Sequence, residues 1–187
     1  MSNQSATQQR TGLPFSRQEW DLLVRLPGRV VVAAISTQAG LARRTVAEGL
    51  AGIDAIAAGR DSASQLVRDV VAAIYAETEV DNEPVAKELP GWPAGTADVL
   101  EDCRTAGRLL AERAGRADSD AYRHWLEAIA ARVCRAAHGG GVIGSGAPPA
   151  SPAERRAPTV GPGAAGGRAG RRSQRQFLAD LGAALDG

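Results

Sequence analysis

TADVLEDCRTAGRLLAERAGRADSDAYRHWLEAIAARVCRAAHG, residues 96–139, decides the fold class. Val99, Cys103, Ala106 and Leu110 recur at steps of three and four, as do Tyr122, Trp125, Ile129, Val133 and Ala137, with Leu126 next to Trp125. That spacing puts each set on one face of a helix. Thr96 is positioned to cap the first helix, with Asp98 near the positive end of its dipole. Gly115 closes it, Ser119 opens the second with Asp120 behind, and Gly139 closes that one. The short connection Gly115–Asp118 makes the pair an antiparallel hairpin.

Upstream, the same grammar continues. Ser16 and Glu19 form a capping box, and Phe15 and Trp20 stand where a hydrophobic staple joins the residue before the cap to the first turn. This helix is expected to run to about Leu26 and stop at Pro27, which has no N–H to donate. Pro27 can then open a second helix. Its body, Val30 to Ile35, is apolar all round, so residues 28–38 read as buried helix or buried strand, and the lack of a partner strand favours helix. From Leu41 to Ala58, Val46, Leu50, Ile53 and Ala57 mark a stripe expected to face the core. Gly49 and Gly52 lie inside this helix at about 1 kcal/mol each against Ala, which close backbone packing would explain. Ser62 and Gln65 suggest a second capping box, ahead of a stripe of Leu66, Val70, Val71 and Ile74. Residues 79–96, with Pro84, Pro90, Gly91, Pro93 and Gly95, read as a long connection.

Downstream, residues 140–172 are Gly, Pro, Ala and Arg with scarcely a large apolar side chain, the composition of a disordered linker. Ser173 and Gln176 suggest a third capping box, and Phe177, Leu178, Leu181 and Leu185 the stripe of a short last helix. The expected organisation is a disordered tail over 1–12, a helical domain over 13–139, a linker over 140–172 and an amphipathic helix over 173–187. The fold class is all-α, a compact bundle of six to seven helices.

Composition agrees. Of 187 residues, 44% are hydrophobic but only 4% aromatic, so the core must rest on Ala, Val, Leu and Ile, which suits closely packed helices better than strands. The net charge of +1 describes no global field toward nucleic acid. Six arginines (Arg155, Arg156, Arg168, Arg171, Arg172, Arg175) against Glu154 make the stretch from Gly139 to Arg175 basic, and leave the remainder acidic. Two cysteines are too few for a secreted disulfide scaffold. The polar start MSNQSATQQRTG has no apolar segment of a signal peptide, and Val30–Ile35 is too short to cross a bilayer. A cytoplasmic location is expected.

No catalytic or cofactor signature emerges, and neither a metal nor a cofactor is expected. Cys134 and His138 share a helix face, but His124 is rotated away and Cys103 falls a turn from Cys134 across the hairpin, against a zinc site. No nucleophile–base set is evident. Gly139–Gly146 lacks the Lys and Ser/Thr of a phosphate loop and follows a helix. The acidic stretch 77–83 lacks the spacing of a calcium loop. Trp92, in Pro90-Gly91-Trp92-Pro93, is a candidate surface aromatic whose plainer role is to cover one end of the core. The most suggestive surface is Arg168, Arg171, Arg172 and Arg175 leading into Phe177, Leu178, Leu181 and Leu185. Such an end can lie on an anionic membrane or enter a partner's groove; the plainer alternative is docking on its own body. Specific nucleic-acid binding is not expected, since no aromatics interleave the arginines.

Glu19, Trp20 and Pro27 at the front, then Gly140-Gly141-Val142-Ile143-Gly144, Ser173, Gln176, Leu178, Leu181 and Leu185, resemble the pattern of a family of small all-helical bacterial proteins. The resemblance covers most of 15–187 and departs from it by a long insertion over about 147–172. It implies the helical fold and no activity. The helices are also loosely similar to tellurite-resistance-type helical domains, without the paired acidic metal residues those would imply. The functional expectation is a non-enzymatic helical interaction protein (adaptor, regulator or stress-related accessory) with a protein partner. The alternatives are a peripheral membrane-surface protein using the basic C-terminal helix, and a metal-binding helical protein.

Overall fold

A helix that contains a proline must find another donor for the carbonyl four residues back. In α1, Arg17–Ser36, that proline is Pro27 and the carbonyl is Leu23's. The Tyr122 hydroxyl donates to the Leu23 oxygen at 2.7 Å, in a fully buried setting. Burial pushes the Tyr122 pKa well up, with Cys103 adding to the effect, so the phenol keeps the proton it donates. The break expected at Pro27 is therefore absent: one helix of 20 residues runs through it, and 28–36 is helix. A computed structural model of the chain describes residues 14–37, 42–80, 95–139 and 163–186.

The front of α1 is as its sequence implies. The Ser16 hydroxyl accepts from the Glu19 N–H at 3.4 Å, and the Glu19 carboxylate accepts from the Ser16 N–H at 2.7 Å. Phe15 and Trp20 stack with ring centroids 6.4 Å apart. The Ser16 amide is the main cause that lowers the Glu19 pKa, with the hydroxyl and Arg113 assisting.

Among the described residues five further α-helices follow: α2 Ala42–Ala57, α3 Gln65–Val80, α4 Thr96–Arg113, α5 Arg116–Gly139 and α6 Gly163–Asp186. A single 3₁₀ turn, Ala58–Asp61, links α2 to α3. Among the described residues there is no strand, and the protein is an all-α bundle.

Four caps differ from expectation. Ser119 lies inside α5, which begins at Arg116, and its N–H donates to the Gly115 carbonyl at 2.9 Å. Ser64 takes the part expected of Ser62: its hydroxyl accepts from the Val67 N–H at 3.3 Å and donates to Asp118 Oδ1 of α5 at 2.6 Å. The 3₁₀ turn displaces the helix start by two residues, and the Gln65 amide turns to Asp69. Gly95, not Thr96, precedes α4, and the Asp98 carboxylate closes that end by accepting from the Gly95 N–H at 3.0 Å. Ser173 and Gln176 lie inside α6, which begins at Gly163, ten residues ahead of the expected boundary. Extending an existing helix costs far less than nucleating one, so the Ala-containing stretch before Ser173 follows the docked part into helix. The expected tail 1–12, and most of both the linker and the 79–96 connection, lie outside the described residues.

Helix α5 packs against all five others. Its two inward faces carry Tyr122, Trp125, Leu126, Ile129, Ala130, Val133, Cys134 and Ala137, all buried. Ion pairs fix the direction of α4 against α1: Arg29 pairs with Asp102, and Glu19 with Arg113 at 3.2 Å, so the two run antiparallel. The last helix lies along α4 and α5. A Cβ at Gly107 of α4 would sit 2.7 Å from the Leu185 carbonyl oxygen, so this crossing needs glycine.

Two outcomes test this packing. Tyr122→Phe orphans the Leu23 carbonyl and should cost about 1–3 kcal/mol, whereas the same change in a Pro27→Ala background should cost clearly less, because alanine at that position brings its own N–H. Equal losses in both backgrounds, from urea melts, would contradict the compensation. Gly107→Ala should cost about 1–3 kcal/mol by overpacking against the α6 backbone; an unchanged melting temperature would count against the close crossing.

Candidate functional site

Helix α2 has apolar residues on both sides, and the structure turns Gly52, Ala55 and Ile56 inward. The buried side holds Glu48, Gly52, Ala55 and Ile56, continuing to Gly59 in the 3₁₀ turn. A Cβ at Gly52 would come within 2.6 Å of Val31, and one at Gly59 within 2.7 Å of the Trp125 ring nitrogen. The Trp125 indole N–H donates to the Ala55 carbonyl at 3.3 Å, and Asp54 pairs with Arg132. Gly52 and Asp54 thus face Val133 and Arg132, and Ala55 and Gly59 face Trp125, so α2 runs antiparallel to α5.

The stripe expected to face the core faces out instead. Val46 is 63% exposed, Leu50 61% and Ile53 59%; they are the exposed large hydrophobic residues among those described. Ala57, at the end of the same line, is partly covered. The reason is steric. The approach to Val31, Val133 and Trp125 is too close for a Leu or Val side chain, so the Gly/Ala face is the one that docks. Full burial of each outward side chain would contribute about 1.5–3 kcal/mol, of which the isolated chain forgoes the larger part. Exposed Leu residues scattered singly are ordinary; three in consecutive turns of one helix are an interaction-site signature.

The side chains singled out at the C-terminus part company. Phe177, Leu181 and Leu185 are buried in the shared core and Leu178 packs partly against it, while Arg171, Arg172 and Arg175 are exposed. Arg168 lies in α6, but its side chain is outside those described. Arg123 reaches Asp186 at 3.6 Å, tying the end of α6 to α5. The apolar and basic halves of this candidate thus face opposite ways: one is core, the other solvent. Trp92 lies outside the described residues, as does the Gly139–Gly146 stretch beyond its first residue.

Cys103 and Cys134 are both buried and form no disulfide with each other. Burial pushes the Cys103 thiol up to about 12, against the opposing pull of Arg29 and Arg104, and Cys134 up to about 11, with Glu48 adding to the effect. His124 is exposed. Among the described residues, no three His, Cys, Asp or Glu side chains come together as a metal cage. No described helix is long and apolar enough to cross a membrane.

No protein family, curated protein or solved structure matches the chain in the comparisons made. The site therefore rests on its own geometry.

The cysteines give a direct check. Since the thiolate is the reactive form, native protein should resist iodoacetamide at mildly alkaline pH while the unfolded chain labels at both cysteines. Fast labelling of either thiol in the folded state, read by intact mass, would contradict their burial.

Proposed function

We propose that this protein acts through protein contact, as a non-enzymatic helical adaptor or regulator, and that α2 presents the contact face. The observation that carries this is the solvent-facing line Val46, Leu50, Ile53 on a helix whose other face is fully engaged. Helix-in-groove and helix-on-helix recognition both use anchors at such spacing. The stripe is rigidly mounted, because Gly52, Gly59, Trp125 and the Asp54–Arg132 pair hold α2 to α5. Preorganised apolar anchors lose little conformational entropy on binding.

The membrane-surface alternative draws on the exposed Arg171, Arg172 and Arg175. It asks α6 to expose Phe177, Leu181 and Leu185, which the core already holds. Support for a contact role at α2 is stronger, because nothing needs to undock.

A photo-cross-linking residue at position 50, in the source cells, is expected to capture protein. The same group at Ala128, exposed on α5, should give little. Equal yields at both positions, or none at 50, would remove the proposal.

A further inference from the structure

We infer that the α2 stripe pairs with the same stripe of a second copy of this chain, antiparallel, about a two-fold axis passing close to Gly49 and Leu50. The inference rests on α2 being a contact surface and names its partner.

The spacing of the stripe comes first. Val46, Leu50, Ile53 and Ala57 step by four, three and four. That alternation keeps a seam facing one other helix at a shallow crossing angle, as in coiled coils. An extended peptide would not select it. A bilayer would favour a broad apolar face flanked by cations alone, whereas this stripe is a narrow line and carries Asp54, 64% exposed, on the same flank as position 43.

Gly49 supplies the second observation. Glycine is disfavoured inside helices, and Gly52 offsets that by close approach within the chain, but a Cβ at Gly49 would meet nothing within 4 Å. Among the described residues, no contact of its own chain asks for glycine there. It lies three residues after Val46 and four before Ile53, on the edge of the exposed stripe. A second helix laid on that stripe would meet bare backbone at Gly49 and could approach closely.

Charge then sets the direction. At 100° per residue, positions 43 and 54 fall on the same flank of the stripe, and they are about equally distant from the Gly49 neighbourhood. Position 43 is an arginine in the first turn of α2, its side chain outside those described, and position 54 is an aspartate near the end of the helix. An antiparallel two-fold pair sets each flank against its own counterpart, so position 43 of one copy comes beside position 54 of the other, twice. A parallel pair would set that flank against the opposite one, where Ala42 and Gly49 carry no charge. Asp54 already pairs with Arg132, yet its exposure leaves room for a second cation. The antiparallel arrangement also opposes the two helix dipoles favourably.

The contact is small. One helix face per copy falls at the lower end of the size range for specific interfaces, so the dimer is transient and concentration-dependent. An isologous pairing uses up its own surface, so association closes at two.

Sedimentation equilibrium of the full chain, up to about millimolar protein, reads this directly. Wild type should pass from monomer to dimer and no further. Leu50→Lys should stay monomeric throughout with an unchanged melting curve, since Leu50 is exposed. Arg43→Asp should weaken the dimer, and adding Asp54→Arg to that chain should restore it. On oxidation, mixed Val46→Cys and Ile53→Cys chains should cross-link 46 to 53 in preference to 46 to 46. A wild type that remains monomeric, a dimer indifferent to Leu50→Lys, or preferential 46-to-46 linkage would each overturn the antiparallel self-pairing. If wild type is monomeric while a photo-cross-linker at position 50 captures a different protein, self-pairing falls and the contact role of α2 survives. If position 50 captures nothing, both fall together.

Discussion

The Leu23 carbonyl is the group on which the rest of the bundle depends. Pro27 removes its helical donor, and Tyr122 replaces it from α5, in the dry interior. An unsatisfied carbonyl there would be costly enough to bend or end the helix. With the donor in place, α1 continues through its apolar second half, where Val30, Val31, Ala33 and Ala34 are all buried. Those residues line one side of the core, and α5, which supplies the hydroxyl, lines another. The same hydrogen bond thus satisfies a backbone group and sets the register between the two helices. Arg29–Asp102 and Glu19–Arg113 then bind α4 along the length of α1, and α6 closes over α4.

A chain so poor in aromatics has to gain its core by close approach instead of by bulk. It does so at Gly52, Gly59 and Gly107, where helix meets helix at distances that exclude even a methyl group. Close packing increases dispersion contacts per residue, which offsets the cost of glycine inside helices. For α2 the arrangement has a further effect. Its glycines and alanine, with Ile56 beside them, are used against α5 and α1, so Val46, Leu50 and Ile53 are left on the outer face. The exposed stripe is a consequence of how the core is filled.

Much of the fold is legible in the sequence because it is written locally. The Ser16–Glu19 box, the Phe15–Trp20 staple and the apolar faces of α4 and α5 depend on residues within a few turns of each other. What is not legible depends on partners distant in the chain. Pro27 reads as a break until a tyrosine 95 residues away is seen to compensate it. Ser173 and Gln176 match a capping pattern, but such a pattern acts only where the preceding residues are not already helical, and here they are. The sidedness of α2 is the clearest case. Hydrophobic periodicity located its stripe correctly and assigned it the wrong side, because Gly and Ala packed at short range leave almost no hydrophobic signal.

Two apolar stripes of similar sequence character therefore come to different ends. Phe177, Leu181 and Leu185 on α6 find α4 and α5, helped by the clearance at Gly107, and become core. Val46, Leu50 and Ile53 on α2 find no such groove among the described elements and stay in water. The difference lies in whether a complementary glycine faces the stripe within the same chain. Gly107 faces α6, whereas a Cβ at Gly49 would meet no described neighbour. Gly28 and Gly170 meet as little, so Gly49 matters through its place on the edge of the exposed stripe: a helix that carries both the anchors and the clearance for them is suited to meet its own copy.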